Sequence, residues 1–117
     1  MARRLLIVDD NAAFRRLARR LLEAEGYEVV GAAEGAGQAL AVARDLAPEI
    51  VLLDVNLPDG NGFELTEALA RECPGAAVLL TSTRGRPDFG RLALESGARG
   101  FLPKDELSGA ELNRLLG

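Results

Sequence analysis

Short apolar runs alternate with amphipathic segments along the whole chain, and this alternation constrains the fold more than any other feature. Residues 5–8, 50–53 and 76–80 are continuously apolar, which is typical of strands that are buried on both faces of a parallel sheet. Shorter runs around Val29 and at residues 100–102 predict two further strands. Because a helical segment follows each strand, we predict five right-handed βα units in a single α/β domain.

The spacing of apolar residues and the capping residues predict where the helices lie. Asn11 and Ser108 are predicted to cap the first and fifth helices, because their side-chain oxygens can accept hydrogen bonds from first-turn amides. Pro87 is predicted to occupy the first position of the fourth helix. The first helix is predicted to bury one face, formed by Phe14, Leu17, Ala18, Leu21 and Leu22.

The counts of histidine, cysteine and charged residues exclude several classes of protein. The sequence contains no histidine, which excludes Ser-His-Asp and Cys-His catalysis and histidine-ligated metal sites within this chain. Its one cysteine, Cys73, cannot form an internal disulfide, and we interpret it as a small, partly buried residue near a helix end. The formal net charge of −4 disfavours direct binding of nucleic acid. We identify no signal peptide and no membrane-spanning run, so we expect a cytoplasmic location and no membrane association.

Polar residues stand at the end of four of the five predicted strands. Asp9 and Asp10 follow the first strand, Asp54 follows the third and Thr81 follows the fourth. Lys104 comes just after the fifth strand. Because the carboxyl ends of parallel strands meet at the same edge of a sheet, and ligands bind at that edge, we expect these five side chains to converge.

The negative charges of three carboxylates at one edge of the sheet must be compensated by positive charge. Two like charges about 4 Å apart repel by about 4 kcal/mol at an effective dielectric constant of about 20. Three acids and one lysine leave two negative charges, which one divalent cation would neutralise. An all-oxygen ligand set favours Mg²⁺ first and Ca²⁺ second. Thr81 and Lys104 opposite the acids suit a phosphoryl group, and Asp54 between them could act as the nucleophile that forms an acyl phosphate.

Four segments together resemble the receiver domain of bacterial two-component response regulators. They are LLIVDDN at 5–11, IVLLDVNLPDG at 50–60, VLLT at 78–81 and GARGFLPK at 97–104. The resemblance covers the whole chain, so that residues 1–117 form one receiver domain. It implies a flavodoxin-like, doubly wound fold with a five-stranded parallel sheet in the order 2-1-3-4-5.

The resemblance also implies a phosphoacceptor and a set of magnesium ligands. Asp54 would be the phosphoacceptor. Asp10 and Asp54 would ligate Mg²⁺ directly, Asn56 would do so through its backbone carbonyl, and Asp9 would act through water. The domain would then be no enzyme in the usual sense, because it would catalyse only its own phosphorylation and dephosphorylation.

The resemblance further implies a switch. Thr81 and Lys104 would hold the phosphoryl oxygens, and Phe101 would move inward when Thr81 is drawn to the phosphoryl group. The face built from the fourth helix, the fifth strand and the fifth helix would report the state and could form a homodimer.

Two positions depart from the family pattern. Asp105, rather than proline, follows Lys104, so we infer no cis peptide bond there. Phe101 stands where a tyrosine is common, and it loses no hydroxyl hydrogen bond on burial. We therefore hypothesise that Phe101 sits inward readily even without phosphorylation.

Because the chain has no histidine, a phosphohistidine donor must lie outside this chain. The resemblance implies a sensor histidine kinase or a phosphotransfer protein. The basic face of the first helix is either simply solvated, which we favour, or meets an acidic patch of that partner; it carries Arg15, Arg16, Arg19 and Arg20. The chain is either a stand-alone regulator or part of a longer one with an output domain or effector.

Four alternative functions remain to be weighed. An aspartyl phosphatase usually has a second Asp two residues after its nucleophile, where this chain has Asn56. A flavodoxin-type protein would need a phosphate loop where Asp9 and Asp10 stand, and a P-loop GTPase would need a glycine-rich loop that is absent. The fourth alternative is a non-phosphorylated receiver that acts only as a protein-interaction module.

Overall fold

A parallel sheet of five strands forms the centre of the molecule, which we describe from a computed structural model over residues 2–117. The strands stand in the order β2-β1-β3-β4-β5, and every neighbouring pair is parallel. This arrangement confirms the predicted fold class and strand order. The strands are β1 (Arg4–Val8), β2 (Glu28–Ala33), β3 (Ile50–Asp54), β4 (Ala77–Ser82) and β5 (Gly100–Pro103).

Five helices cover the two faces of the sheet. Helices α2, α3 and α4 pack on one face, whereas α1 and α5 pack on the other. A short 3-10 turn, Lys104–Glu106, follows β5. The helices are α1 (Ala12–Ala24), α2 (Ala36–Leu46), α3 (Gly62–Glu72), α4 (Phe89–Ser96) and α5 (Gly109–Leu116). Among the described residues, no helix has the length and apolar character needed to cross a membrane.

The continuously apolar strands supply both cores, because successive side chains of a strand point to opposite faces. In β1, Leu6 and Val8 belong to the core beneath α2, α3 and α4, whereas Leu5 and Ile7 belong to the core beneath α1 and α5. All four of these side chains are at most 1% exposed. The apolar runs therefore form strands buried on both sides, as predicted.

The predicted helix caps are present. Asn11 Oδ1 accepts a hydrogen bond from the Phe14 amide at 3.0 Å, and Ser108 Oγ accepts one from the Glu111 amide at 3.1 Å. Each cap satisfies an amide that the first helical turn leaves without an intrahelical partner.

Two predictions about the helices are wrong. Leu17 is 59% exposed, because α1 presents Ala18 and Leu22 to the sheet and Leu17 lies to the side of that face. Pro87 does not begin α4, which starts at Phe89. Instead, the Phe89 amide donates to the Arg86 carbonyl at 3.1 Å, so that Pro87 takes the second position of a turn before the helix.

The segment between β3 and α3 contains an element that the sequence did not predict. Asn56–Leu57 pairs with Gly60–Asn61 as a two-residue antiparallel ladder, with Pro58 and Asp59 at its tip. At the base of this ladder, the Gly62 amide donates to the Val55 carbonyl at 2.7 Å. The segment is thus a compact hairpin that stands directly after Asp54.

Gly62 packs against the end of β3 with no room for a side chain. A Cβ atom at this position would lie 2.6 Å from the Asp54 carbonyl oxygen and 2.9 Å from the Val55 Cα. We expect Gly62→Ala to lower the free energy of unfolding by about 1 to 3 kcal/mol, because backbone atoms must shift. Urea denaturation measures this change.

Gly90→Ala in α4 is the matched control, because a Cβ at Gly90 would meet nothing within 4 Å. That variant should be as stable as the wild type or slightly more so, since alanine favours helix. Equal stability of the two variants would contradict the steric argument.

Candidate functional site

The five predicted strand-end residues converge at the carboxyl edge of the sheet. Asp9 directly follows β1, and Asp54 is the last residue of β3. Thr81 lies opposite Asp54 in the register of β3 and β4. Lys104 directly follows β5. Parallel pairing alone therefore brings together residues from both ends of the chain.

The ammonium group of Lys104 bridges two buried carboxylates. Its Nζ lies 2.6 Å from Asp9 Oδ2 and 3.2 Å from Asp54 Oδ2, and the lysine side chain is only 11% exposed. Nζ also lies 4.5 Å from the centroid of the Phe14 ring. The sequence predicts Phe14 only as part of the buried face of α1 and does not predict this cation–π contact.

Backbone amides orient the two carboxylates. The Asn11 amide donates to Asp9 Oδ1 at 2.8 Å, and the Asn56 amide donates to Asp54 Oδ1 at 3.1 Å. In both cases the donor lies two residues after the acid, where the chain turns at the end of a strand. Each carboxylate therefore has one oxygen held by the backbone and one beside Lys104.

Three acids form a group that fits a hard cation. Asp9, Asp10 and Asp54 each offer a carboxylate oxygen, and these atoms lie within 4.8 Å of one another. Asp9 and Asp54 are buried, whereas Asp10 is exposed. Oxygen ligands without histidine or cysteine suit Mg²⁺, which also retains water on its open side. The donor set thus fits the expected cation, and the part of Asn56 in its ligation stays a prediction.

Thr81 carries a buried hydroxyl that lacks a partner. Its side chain is 1% exposed, and no group among the described residues forms a hydrogen bond with Oγ1. A buried polar atom in this state costs about 1 to 3 kcal/mol. An acceptor oxygen bound at this edge would satisfy the hydroxyl.

Burial and charge shift the pKa values of the two central groups. Burial raises the pKa of Asp54, and the neighbouring Asp9 charge adds to this, although the Asn56 amide and Lys104 oppose it. Burial alone would lower the pKa of Lys104, but Asp9 and Asp54 outweigh burial and raise it. The lysine therefore remains positively charged. Ionisation of Asp54 is less favourable in the folded, metal-free protein than it is for an aspartate in water.

Phe101 lies at the end of a row of three aromatic rings. Its ring is 5.2 Å from that of Phe89, and the Phe89 ring is 5.7 Å from that of Phe63, each pair meeting edge to face. Phe101 is half-buried and packs against the core beneath α2, α3 and α4. Its movement on activation stays a prediction.

A sequence model described as "Response regulator receiver domain" matches residues 5–115. The chain is 32% identical over 104 residues to chemotaxis protein CheY of Thermotoga maritima, covering 89% of this chain and 87% of that protein. It is 37% identical over 114 residues to response regulator GacA of Pseudomonas protegens, covering 97% of this chain and 52% of that protein.

Solved structures agree with these sequence matches. The signal receiver domain of the putative response regulator NarL from Mycobacterium tuberculosis superposes with a TM-score of 0.86 at 32% identity, covering 99% of this chain and 98% of that one. A two-component response regulator of the LuxR family from Aurantimonas superposes with a TM-score of 0.89 at 33% identity, covering 100% and 87%. The chain spans about half the length of most of the curated relatives it matches, for example 50% and 52%.

The raised pKa of Asp54 predicts a gain in stability when its charge is removed. Protonated Asp54 contributes stability that is fully present below the ordinary pKa of 3.8 and is lost as the pH rises through the raised pKa. We therefore expect Asp54→Asn to raise the free energy of unfolding of the metal-free protein at pH 7, and to raise it less as the pH is lowered toward 4.

Urea denaturation in EDTA across this pH range measures the difference. Saturating Mg²⁺ should reduce or reverse it if the cation binds the wild-type carboxylate as expected. Asp45→Asn, at an exposed position of α2, should change stability by no more than about 0.5 kcal/mol. An Asp54→Asn protein that is less stable than the wild type in EDTA at pH 7 would refute the prediction.

Proposed function

The chain belongs to the response regulator receiver domain family of two-component systems, and on that premise we propose that Asp54 accepts a phosphoryl group with the help of Mg²⁺. The observation that carries this proposal is the position of Lys104 Nζ between Asp9 and Asp54, together with the unpartnered hydroxyl of Thr81, which lies opposite Asp54 in the strand register. These groups offer a nucleophile, a cation and a hydrogen-bond donor to one incoming phosphate.

The transfer would proceed by attack of an Asp54 carboxylate oxygen on the phosphorus of a phosphohistidine. The new P–O bond forms as the P–N bond breaks, and the imidazole of the donor leaves with the electron pair. Asp10, Asp54 and the Asn56 carbonyl would hold Mg²⁺, with Asp9 acting through water. The cation, when bound, neutralises charge on the phosphoryl oxygens.

Lys104 and Thr81 would then hold the product. The ammonium group neutralises a phosphoryl oxygen while it keeps its contact with Asp9, and the Thr81 hydroxyl donates to another oxygen. Movement of Thr81 toward the phosphoryl group would draw Phe101 inward and change the face formed by α4, β5 and α5. In this proposal the domain catalyses only its own phosphorylation and dephosphorylation.

A shallow groove beside Lys104 is the proposed docking surface for the donor protein. It has a volume of about 360 Å³, and its lining includes Phe14, Leu17 and Asp105. Leu17, which is 59% exposed, gives this groove an apolar wall, and Lys104 of the acid site lines the same groove. Of the arginines on α1, Arg16, Arg19 and Arg20 are exposed, and we propose that Arg16 and Arg20 meet an acidic partner.

The other arginines of α1 have contacts within the domain. Arg15 Nη1 donates to the Asp9 carbonyl at 2.7 Å, and Arg19 Nη2 donates to the Val29 carbonyl at 3.4 Å. We propose that these two residues serve mainly the fold. The donor would be a sensor histidine kinase or a phosphotransfer protein in the cytoplasm. An output domain or separate effector would respond, with a homodimer through the α4, β5 and α5 face as one means.

Incubation with acetyl phosphate and Mg²⁺, followed by intact-mass measurement, tests the acceptor. We expect the wild type and the Asp45→Ala control to gain one phosphoryl group, and Asp54→Ala to gain none. EDTA should abolish the gain, because the carboxylates alone repel the donor. If the wild type gains nothing at any Mg²⁺ concentration, the alternative of a protein-interaction module that is never phosphorylated would replace the proposal.

Replacement of Leu17 tests the docking groove separately from the chemistry. With a phosphohistidine protein that labels the wild type, we expect Leu17→Ser to slow transfer about tenfold, which corresponds to about 1.4 kcal/mol of lost contact. Labelling by acetyl phosphate should be unchanged. Leu94→Ser on α4, where Leu94 is 62% exposed, is the matched control and should transfer at the wild-type rate. Equal rates for both variants would place the docking surface elsewhere.

A further inference from the structure

Asp59 caps a helix that belongs to a different βα unit. Its Oδ1 accepts a hydrogen bond from the Ala36 amide at 2.7 Å, and its Oδ2 accepts one from the Gly37 amide at 3.1 Å. Both donors lie in the first turn of α2, whose own N-cap residue, Gly35, has no side chain to offer. The tip of the hairpin after Asp54 is therefore attached to the amino end of α2.

Gly35 and Asp59 fit each other sterically. A Cβ atom at Gly35 would lie 2.7 Å from Asp59 Oδ1, so the carboxylate takes the place that a side chain at the N-cap would occupy. The two amides also lower the pKa of Asp59, which keeps it ionised and attractive to the positive end of the helix. The sequence thus supplies the cap from 23 residues away rather than locally.

This attachment fixes the far end of the hairpin that carries Asn56. At the near end, the Val55 amide donates to the Thr81 carbonyl at 2.9 Å. Asn56 lies between these two anchors, in the strand of the ladder that leads to the tip. Restraints at both ends of the hairpin therefore limit how far its carbonyl can move.

The segment to which Asp59 is attached is itself joined to the acid site from the other side. Arg15 Nη2 contacts Glu34 Oε1 at 3.2 Å, while Arg15 Nη1 donates to the Asp9 carbonyl at 2.7 Å. Glu34 directly precedes Gly35. These contacts and the intervening backbone therefore link Asp9 to Asp54 through Arg15, Glu34 and Asp59.

We infer that Asp59 is a positioning residue for the cation site, acting through the hairpin on Asn56 and Asp54. The inference rests on the proposed function, since it assumes that Mg²⁺ binds at these residues. Asp59 does not itself touch the cation. Its tether to α2 limits how far the backbone of Asn56 can move relative to Asp54.

Calorimetric titration with Mg²⁺, together with thermal unfolding in EDTA, tests the inference. We expect Asp59→Ala to raise the dissociation constant for Mg²⁺ about tenfold. This is the lower end of the loss of metal affinity that follows when a residue supporting the metal ligands is replaced. The double variant Gly35→Ser with Asp59→Ala restores a local cap to α2 but not the tether. It should regain thermal stability and still bind Mg²⁺ as weakly as Asp59→Ala.

Ser108→Ala removes a side-chain cap from α5, away from the hairpin, and is the control for loss of a helix cap alone, so its Mg²⁺ affinity should equal that of the wild type. Recovery of Mg²⁺ affinity in the double variant would show that Asp59 only caps α2, and would overturn the inference. Wild-type affinity in Asp59→Ala would overturn it as well. If the wild type itself binds no Mg²⁺, the proposed function fails and the inference fails with it.

Discussion

The contact of one ammonium group with two buried carboxylates organises this domain. Asp9 and Asp54 stand at the ends of neighbouring strands β1 and β3, and without Lys104 between them their charges would repel in a buried setting. Lys104 brings one positive charge, which is less than the acids require. The remaining negative charge, together with the free hydroxyl of Thr81, leaves the edge of the sheet suited to a cation and an anion bound at once. The uncompensated negative charge and the unpartnered hydroxyl lower the stability of the domain, and a bound cation and anion would raise it again.

The strands and their polar ends could be predicted from the sequence because both depend on local patterns. A continuously apolar run such as residues 50–53 has few options other than a strand buried on both faces, and parallel pairing then decides where Asp54 lies. The order of the strands is different, since periodicity does not contain it. The order came from the resemblance of the strand-end motifs to a known family, and the structure has the same order.

The features that escaped prediction depend on contacts between distant segments. Helical spacing identifies Leu17 as apolar, but only the rotation of α1 against the sheet decides that Ala18 is buried and Leu17 exposed. The turn-forming residues after Asp54 predict a loop. They do not indicate that this loop is a hairpin, or that its tip caps α2. The contact of Phe14 with Lys104 likewise joins the first helix to the turn that follows the last strand. Each of these features depends on how distant segments pack against one another, which local sequence patterns do not specify.

The wide separation of the site residues along the chain has a consequence for the order of events during synthesis. Asp9 and Asp54 emerge before β5 and Lys104, and β5 lies at the edge of the sheet, where it pairs with β4. A nascent chain that lacks this strand already contains Asp9 and Asp54, but not the Lys104 ammonium group that offsets their negative charges. If Asp54 accepts a phosphoryl group as proposed, it should do so only after β5 has joined the sheet and brought Lys104 to the acids, so that phosphorylation would report a completed fold.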